Sequence, residues 1–258
     1  MVFEVKKAEP EVRISPDIEA LSRKVAVSIV ERINTGVSGG RTFSIALPGG
    51  KTPEMLYQFL SAEFRDEIPW GQVHLFWGDE RYVPPDDPRS NYRTVEESLL
   101  RHVPIPAGNV HRMPTHFSKA DEAAQAYERI LRDYFPSPWP RFNLVLLGLG
   151  DEGHTASLFP GSPALAEQER WVLAVRAPAE PPLRLTLTLP ALNHAECVYF
   201  LVAGAQKASA LLHAVTTWPA QPNSPAAMVR PQHGEVVWWT DQAAAQLLPS
   251  SLRGTGPN

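Results

Sequence analysis

Apolar positions along this chain recur in two spacings. In PDIEALSRKVAVSIVERIN, from Pro16 to about Asn34, they fall three and four residues apart, which predicts an amphipathic surface helix with Ser15 as cap and Pro16 at its first position. Elsewhere they bunch. TFSIAL, VHLFW, FNLVLLG, CVYFLVAG and VVWW are short runs of the kind that form strands. Further helical patterns lie between them: PGGKTPEMLYQFL, where Thr52 followed by Pro53 marks the start, then SNYRTVEESLL, KADEAAQAYERILRDYF and QKASALLHAV. Strands alternating with helices predict crossover units around a parallel sheet. FNLVLLG and CVYFLVA are apolar at nearly every position, as strands buried on both faces are. Right-handed crossovers would cover both faces of that sheet with helices.

Composition narrows the picture. The 26 prolines concentrate in connections such as VPPDDP, PSPWP, APAEPP and WPAQPNSP, which read as rigid loops, and Ala214 to Glu235 reads as one long loop. No repeat or low-complexity linker divides the chain, so residues 1–258 are expected to form a single domain, and 43% hydrophobic residues suffice for its core. A net charge of −4 with scattered Lys and Arg offers no broad footprint for nucleic acid or an anionic membrane. No segment approaches a membrane span, and a soluble, cytoplasmic protein is expected. Cys197, the single cysteine, excludes an intrachain disulfide and reads as a buried structural thiol.

Three segments could carry chemistry. Gly49-Gly50-Lys51-Thr52 joins a strand end to a helix start, where backbone N–H groups and the helix dipole favour an anion; a plain glycine turn with a threonine cap is the other reading. Asp79-Glu80-Arg81 follows VHLFW at a strand's carboxyl end, where open α/β sheets place ligands; Arg81 offers a donor fork, with Asp79 and Glu80 orienting it or a water. Alone, such a triplet would read as a solvated loop. Gly148-Leu149-Gly150-Asp151-Glu152-Gly153-His154-Thr155 follows FNLVLL and contains a literal G-x-G-x-x-G, but it runs into Phe159-Pro160-Gly161 instead of a long helix, which argues against a dinucleotide site. His154 there is suited to take a proton from water, with Asp151 or Glu152 fixing its tautomer. Arg184 and Lys207 could close a phosphate pocket from separate strand ends of the same sheet. No G-x-S-x-G elbow occurs, and no spaced His and carboxylate set suggests a metal.

Taken together, ALPGGKTPEMLYQFL, WGDERYVPPDDPRSNY, LLGLGDEGHTASLFPG, and RLTLTLPAL followed by LVAGAQKASALL resemble the 6-phosphogluconolactonase family in order and spacing over nearly the whole chain. The ending VRPQHGEVVWWTDQAAA is similar as well. One departure is Glu152 where the family usually has Asp before Gly-His-Thr. The resemblance implies a three-layer α/β/α sandwich with a Rossmann-like, mostly parallel sheet. It implies hydrolysis of 6-phospho-D-glucono-1,5-lactone to 6-phospho-D-gluconate in the oxidative pentose phosphate pathway, without cofactor or metal. On this expectation His154, Asp79, Glu80, Arg81 and Glu152 serve catalysis, and Gly49, Gly50, Lys51, Thr52, Arg184 and Lys207 bind the phosphorylated substrate. Monomer and homodimer both stay open. The nearest competitor, glucosamine-6-phosphate deaminase, is expected to carry an acidic residue where this chain has Phe159. A non-catalytic sugar-phosphate sensor would need a DNA-binding module for which the chain has no room.

Overall fold

A computed structural model describes residues 11–217, 224–231 and 233–253. Its frame is a seven-stranded sheet of β1 (Glu11–Ser15), β2 (Phe43–Leu47), β3 (Val73–Trp77), β5 (Val110–His111), β6 (Leu144–Gly148), β9 (Cys197–Val202) and β10 (Glu235–Asp241). All its pairings are parallel, in the order β1-β10-β9-β6-β2-β3-β5. β2 and β9 are buried at every position, which is why their sequences lack polar alternation. A second sheet of β4 (Asp79–Arg81), β8 (Leu183–Leu187) and β7 (Val172–Arg176) is antiparallel. It is sewn to the first where the Leu187 N–H donates to the Gly78 carbonyl at 2.8 Å.

Helices α1 (Ile18–Gly36), α2 (Lys51–Ala62) and α3 (Asn91–Ser98) lie side by side, and α4 (Ala120–Tyr134) packs on β7 and β8. The short α5 (Leu189–Leu192), α6 (Ala208–Thr216) and α7 (Pro225–Met228) complete a three-layer α/β/α arrangement. α1 buries Leu21, Val25, Ala26, Ile29, Val30 and Ile33, the stripe its periodicity predicts. Each large aliphatic side chain so buried contributes roughly 1.5–3 kcal/mol. Cys197 is fully buried and unpaired, and burial raises its thiol pKa. Among the described residues, no helix is long and apolar enough to cross a membrane.

Several boundaries differ from expectation. Ser15 does not cap α1: it ends β1, paired with Asp241, and the cap is Asp17, whose carboxylate accepts from the Ala20 N–H at 2.8 Å. Thr52 lies inside α2, which starts at Lys51 behind Gly50. The expected loop from Ala214 to Glu235 contains the end of α6 and all of α7; its residues 218–223 and 232 lie outside the described residues. β1, β5 and β7 were not anticipated, because β5 has two residues and the other two lie at sheet edges with mixed exposure.

The parallel strands end on a polar rim that needs partners for its backbone. Asp241, 7% exposed at the end of β10, accepts from the Gly204 N–H at 2.9 Å and the Ala244 N–H at 2.7 Å. Asp241→Ala leaves the buried Ala244 N–H and the half-buried Gly204 N–H without this acceptor, and should lower the unfolding free energy by about 2 kcal/mol in urea denaturation.

Candidate active site

Sequential strands β2 and β3 pair on one side, whereas β6 returns to the other side of β2, so the strand order reverses between β2 and β6. Chains leaving the carboxyl ends of two such strands diverge and open a crevice. A cavity of about 340 Å³ lies there. Its walls come from the Gly49–Pro53 turn after β2, Asp79 and Arg81 in β4, Gly148–Gly150 and His154 after β6, Arg184 in β8, and Lys207 after β9.

The imidazole is held on one edge and one face. His154 Nδ1 lies 2.9 Å from Glu152 Oε1. Asp151 turns elsewhere, its carboxylate 2.6 Å from Lys207 Nζ, so Glu152 is the carboxylate that meets the ring. A Cβ on Gly150 would sit 2.0 Å from His154 Nδ1, so the ring occupies space that only glycine leaves open. With Nδ1 engaged and no hydrogen bond at Nε2 among the described residues, Nε2 is the nitrogen available to a ligand.

Arg81 and Arg184 face each other as cross-strand partners of β4 and β8. Arg184 is 7% exposed and donates through Nε to the Pro181 carbonyl at 2.7 Å; Arg81 Nη1 donates to the Arg89 carbonyl at 2.7 Å, and its Nε is buried without a partner. Neither forms an ion pair with a carboxylate among the described residues. Burial, then the neighbouring Arg81 charge, lowers the Arg184 pKa. Two crowded guanidinium groups gain most from an anion. Lys51 and Thr52 flank the same cavity from the first turn of α2, whose N-terminus adds its dipole.

Two placements correct the expectations. Arg184 and Lys207 do not share a sheet: Arg184 belongs to the antiparallel one, and Lys207 lies in a 3₁₀ turn beyond β9. Nor is Asp79-Glu80-Arg81 a solvated loop, since it forms β4 with Asp79 and Glu80 buried. Glu80 does not line the cavity. Its carboxylate accepts from the N–H groups of Arg81, Asn91 and Tyr92 at 2.7, 2.7 and 2.8 Å and from the Ser90 hydroxyl at 3.1 Å, holding the start of α3. Asp79 does border the cavity, but its oxygens receive Ser157 Oγ at 2.6 Å and Asn91 Nδ2 at 3.2 Å.

Asn91 and Ser157 escaped the sequence reading. Asn91 stands 2% exposed beside the glycine turn, where a Gly49 Cβ would lie 1.9 Å from its Oδ1. SNYR reads as an ordinary helix start, and nothing in it marks the amide as a wall of the site.

A reversed strand order with one accessible imidazole and clustered cations defines an α/β protein with a site for a small anionic ligand. Residues 16–238 match the family model for glucosamine-6-phosphate isomerases/6-phosphogluconolactonase, and the chain belongs to that family. It is 40% identical over 242 residues to the 6-phosphogluconolactonase of Synechocystis, spanning 93% of this chain and 98% of that protein. Its identity to the Mycobacterium tuberculosis 6-phosphogluconolactonase is 40% over 246 residues, again 93% and 98% of the two chains. The solved 6-phosphogluconolactonase of Trypanosoma brucei superposes with a TM-score of 0.82 at 31% identity, covering 93% of this chain and 99% of that one. A monomeric glucosamine-6-phosphate deaminase shares the fold, at a TM-score of 0.78 and 20% identity over 94% and 100% of the chains.

Burial pushes the Glu80 carboxyl up to about 7 from 4.5, against the downward pull of its backbone donors. A carboxyl with a raised native pKa holds its proton longer folded than unfolded, so its contribution to stability falls as pH rises through that window. Relative to Glu80→Gln, the parent chain should lose about 3 kcal/mol of unfolding free energy between pH 4.5 and pH 7, measured by urea denaturation.

Proposed function

We propose that this chain hydrolyses 6-phospho-D-glucono-1,5-lactone to 6-phospho-D-gluconate, a reaction of the oxidative pentose phosphate pathway, with His154 as general base. The observation carrying this reading is the imidazole tethered through Nδ1 to Glu152, with Nε2 open to a cavity that two unpaired arginines border. Neutral imidazole with Nδ1–H donated to Glu152 has a bare Nε2. That nitrogen takes a proton from water as the water oxygen bonds to the lactone carbonyl carbon. When the tetrahedral intermediate collapses, the bond from carbon to ring oxygen breaks and the imidazolium returns its proton to that oxygen. The base has become the acid.

Glu152 stabilises the imidazolium between the two steps. The N–H groups of the Gly49–Thr52 turn, with Lys51, Arg184 and Lys207, bind the phosphate and hold the distant carbonyl in place. Arg81 contributes charge to the phosphate or to the developing oxyanion. Asp79 and Glu80 act through the elements they hold rather than by touching substrate. No protein partner and no metal enters the scheme; among the described residues no cluster of three or more His, Cys, Asp or Glu is arranged for one.

The test is hydrolysis of freshly generated lactone, corrected for its spontaneous rate, with and without EDTA and beside a glucosamine-6-phosphate deamination assay. Turnover should survive chelation. His154→Ala should lower kcat by about 10²–10⁴-fold with little change in fold, whereas Lys207→Ala should chiefly raise KM. Gly150→Ala should displace the imidazole and lower kcat by about 10²-fold while KM stays within a few-fold. Deamination in place of lactone turnover, or the reverse division between kcat and KM, would refute the scheme.

A further inference from the structure

We propose that Phe159 is a positioning residue for His154: its ring forms the apolar wall that keeps Nε2 of the imidazole aimed into the cavity. The inference rests on the general-base reading above.

Backbone geometry brings the two rings together. Thr155 and Leu158 form an isolated antiparallel bridge, with N–H to carbonyl distances of 3.3 and 2.9 Å in the two directions. Only Ala156 and Ser157 close the turn, and Ala156 takes a φ of 47°, a left-handed conformation that a non-glycine residue adopts at a cost. A bridge between 155 and 158 makes 154 and 159 the flanking positions on its two arms. The His154 and Phe159 ring centroids are accordingly 4.4 Å apart, with planes inclined by 31°.

The turn is fixed in space at its tip. Ser157, fully buried, donates its hydroxyl to Asp79 Oδ2 at 2.6 Å, and its N–H donates to Thr186 Oγ1 at 3.2 Å. Asp79 and Thr186 are cross-strand partners in the antiparallel sheet, so the turn is seated on a rigid ladder. Phe159 is 5% exposed. The imidazole therefore meets the Gly150 backbone, the Glu152 carboxylate and a buried aromatic ring carried on the other arm of the fixed turn. Glu152 alone is a weak constraint, because its side chain is 48% exposed and free to follow a rotating ring. The phenylalanine supplies the rigidity which that contact lacks.

Phe159→Leu keeps an apolar side chain of similar bulk and removes the flat ring. It should lower kcat for lactone hydrolysis about tenfold, leave KM within twofold, and retain a single cooperative melting transition above the assay temperature. Nitrogen-15 chemical shifts of the His154 ring provide a readout independent of activity. In the parent chain they should report one neutral tautomer, with Nδ1 protonated and Nε2 bare; in Phe159→Leu they should move toward a tautomer mixture. Parent kcat and a single tautomer in the leucine variant would overturn the proposal, as would a tautomer mixture in the parent chain. His154→Ala, assayed in parallel, separates the two levels: parent-like turnover in that variant would refute the general-base reading, whereas an inactive His154→Ala beside a fully active Phe159→Leu would refute only the positioning role.

Discussion

The carboxylate of Asp79 joins three pieces of chain that are far apart in sequence. It stands two residues beyond the end of β3, where the polypeptide leaves the parallel sheet and enters the antiparallel one. One oxygen receives the tip of the 155–158 turn, and the other receives Asn91 at the start of α3, which fills the space beside Gly49. The glycine turn, the arginine strand and the histidine loop are thus referred to a single buried charge. A buried carboxylate is tolerated only when its lone pairs are taken up, and here hydroxyl and amide donors do so. Glu80, the next residue, applies the same chemistry to the N-terminus of α3.

Charge in the crevice is arranged unevenly. Lys207 already has a carboxylate, Asp151, at 2.6 Å, whereas Arg81 and Arg184 donate to backbone carbonyls and, among the described residues, form no ion pair. Carbonyls orient a guanidinium without neutralising it, so these two side chains keep donor capacity for an anion.

Much of this was legible in the amino-acid order. Central strands announced themselves as unbroken apolar runs, and the strand-then-glycine segments at Gly49 and Gly150 marked the carboxyl rim where the cavity lies. Edge strands were not legible, because β5 is too short to show a period and β1 and β7 mix half-buried with buried positions out of alternation. The status of Asp79 and Glu80 was hidden for a different reason. Adjacent acids beside an arginine look solvated until a distant segment supplies donors, and Ser157 lies 78 residues away. Asn91 and Ser157 are residue types that start helices and fill turns everywhere, so their place beside the site emerges only from tertiary packing.

The cross-strand pairing of Arg81 with Arg184 carries a consequence for how this site tolerates change in length. Side chains alternate between the two faces of a strand, so a one-residue insertion or deletion within β8 or its approach would send Arg184 to the opposite face and bring an aliphatic neighbour into the crevice. The loop of residues 177–182 before β8 is therefore not a free spacer. Its length is part of the binding site's specification, and variation there has to come in changes that leave the pairing of β4 and β8 in phase.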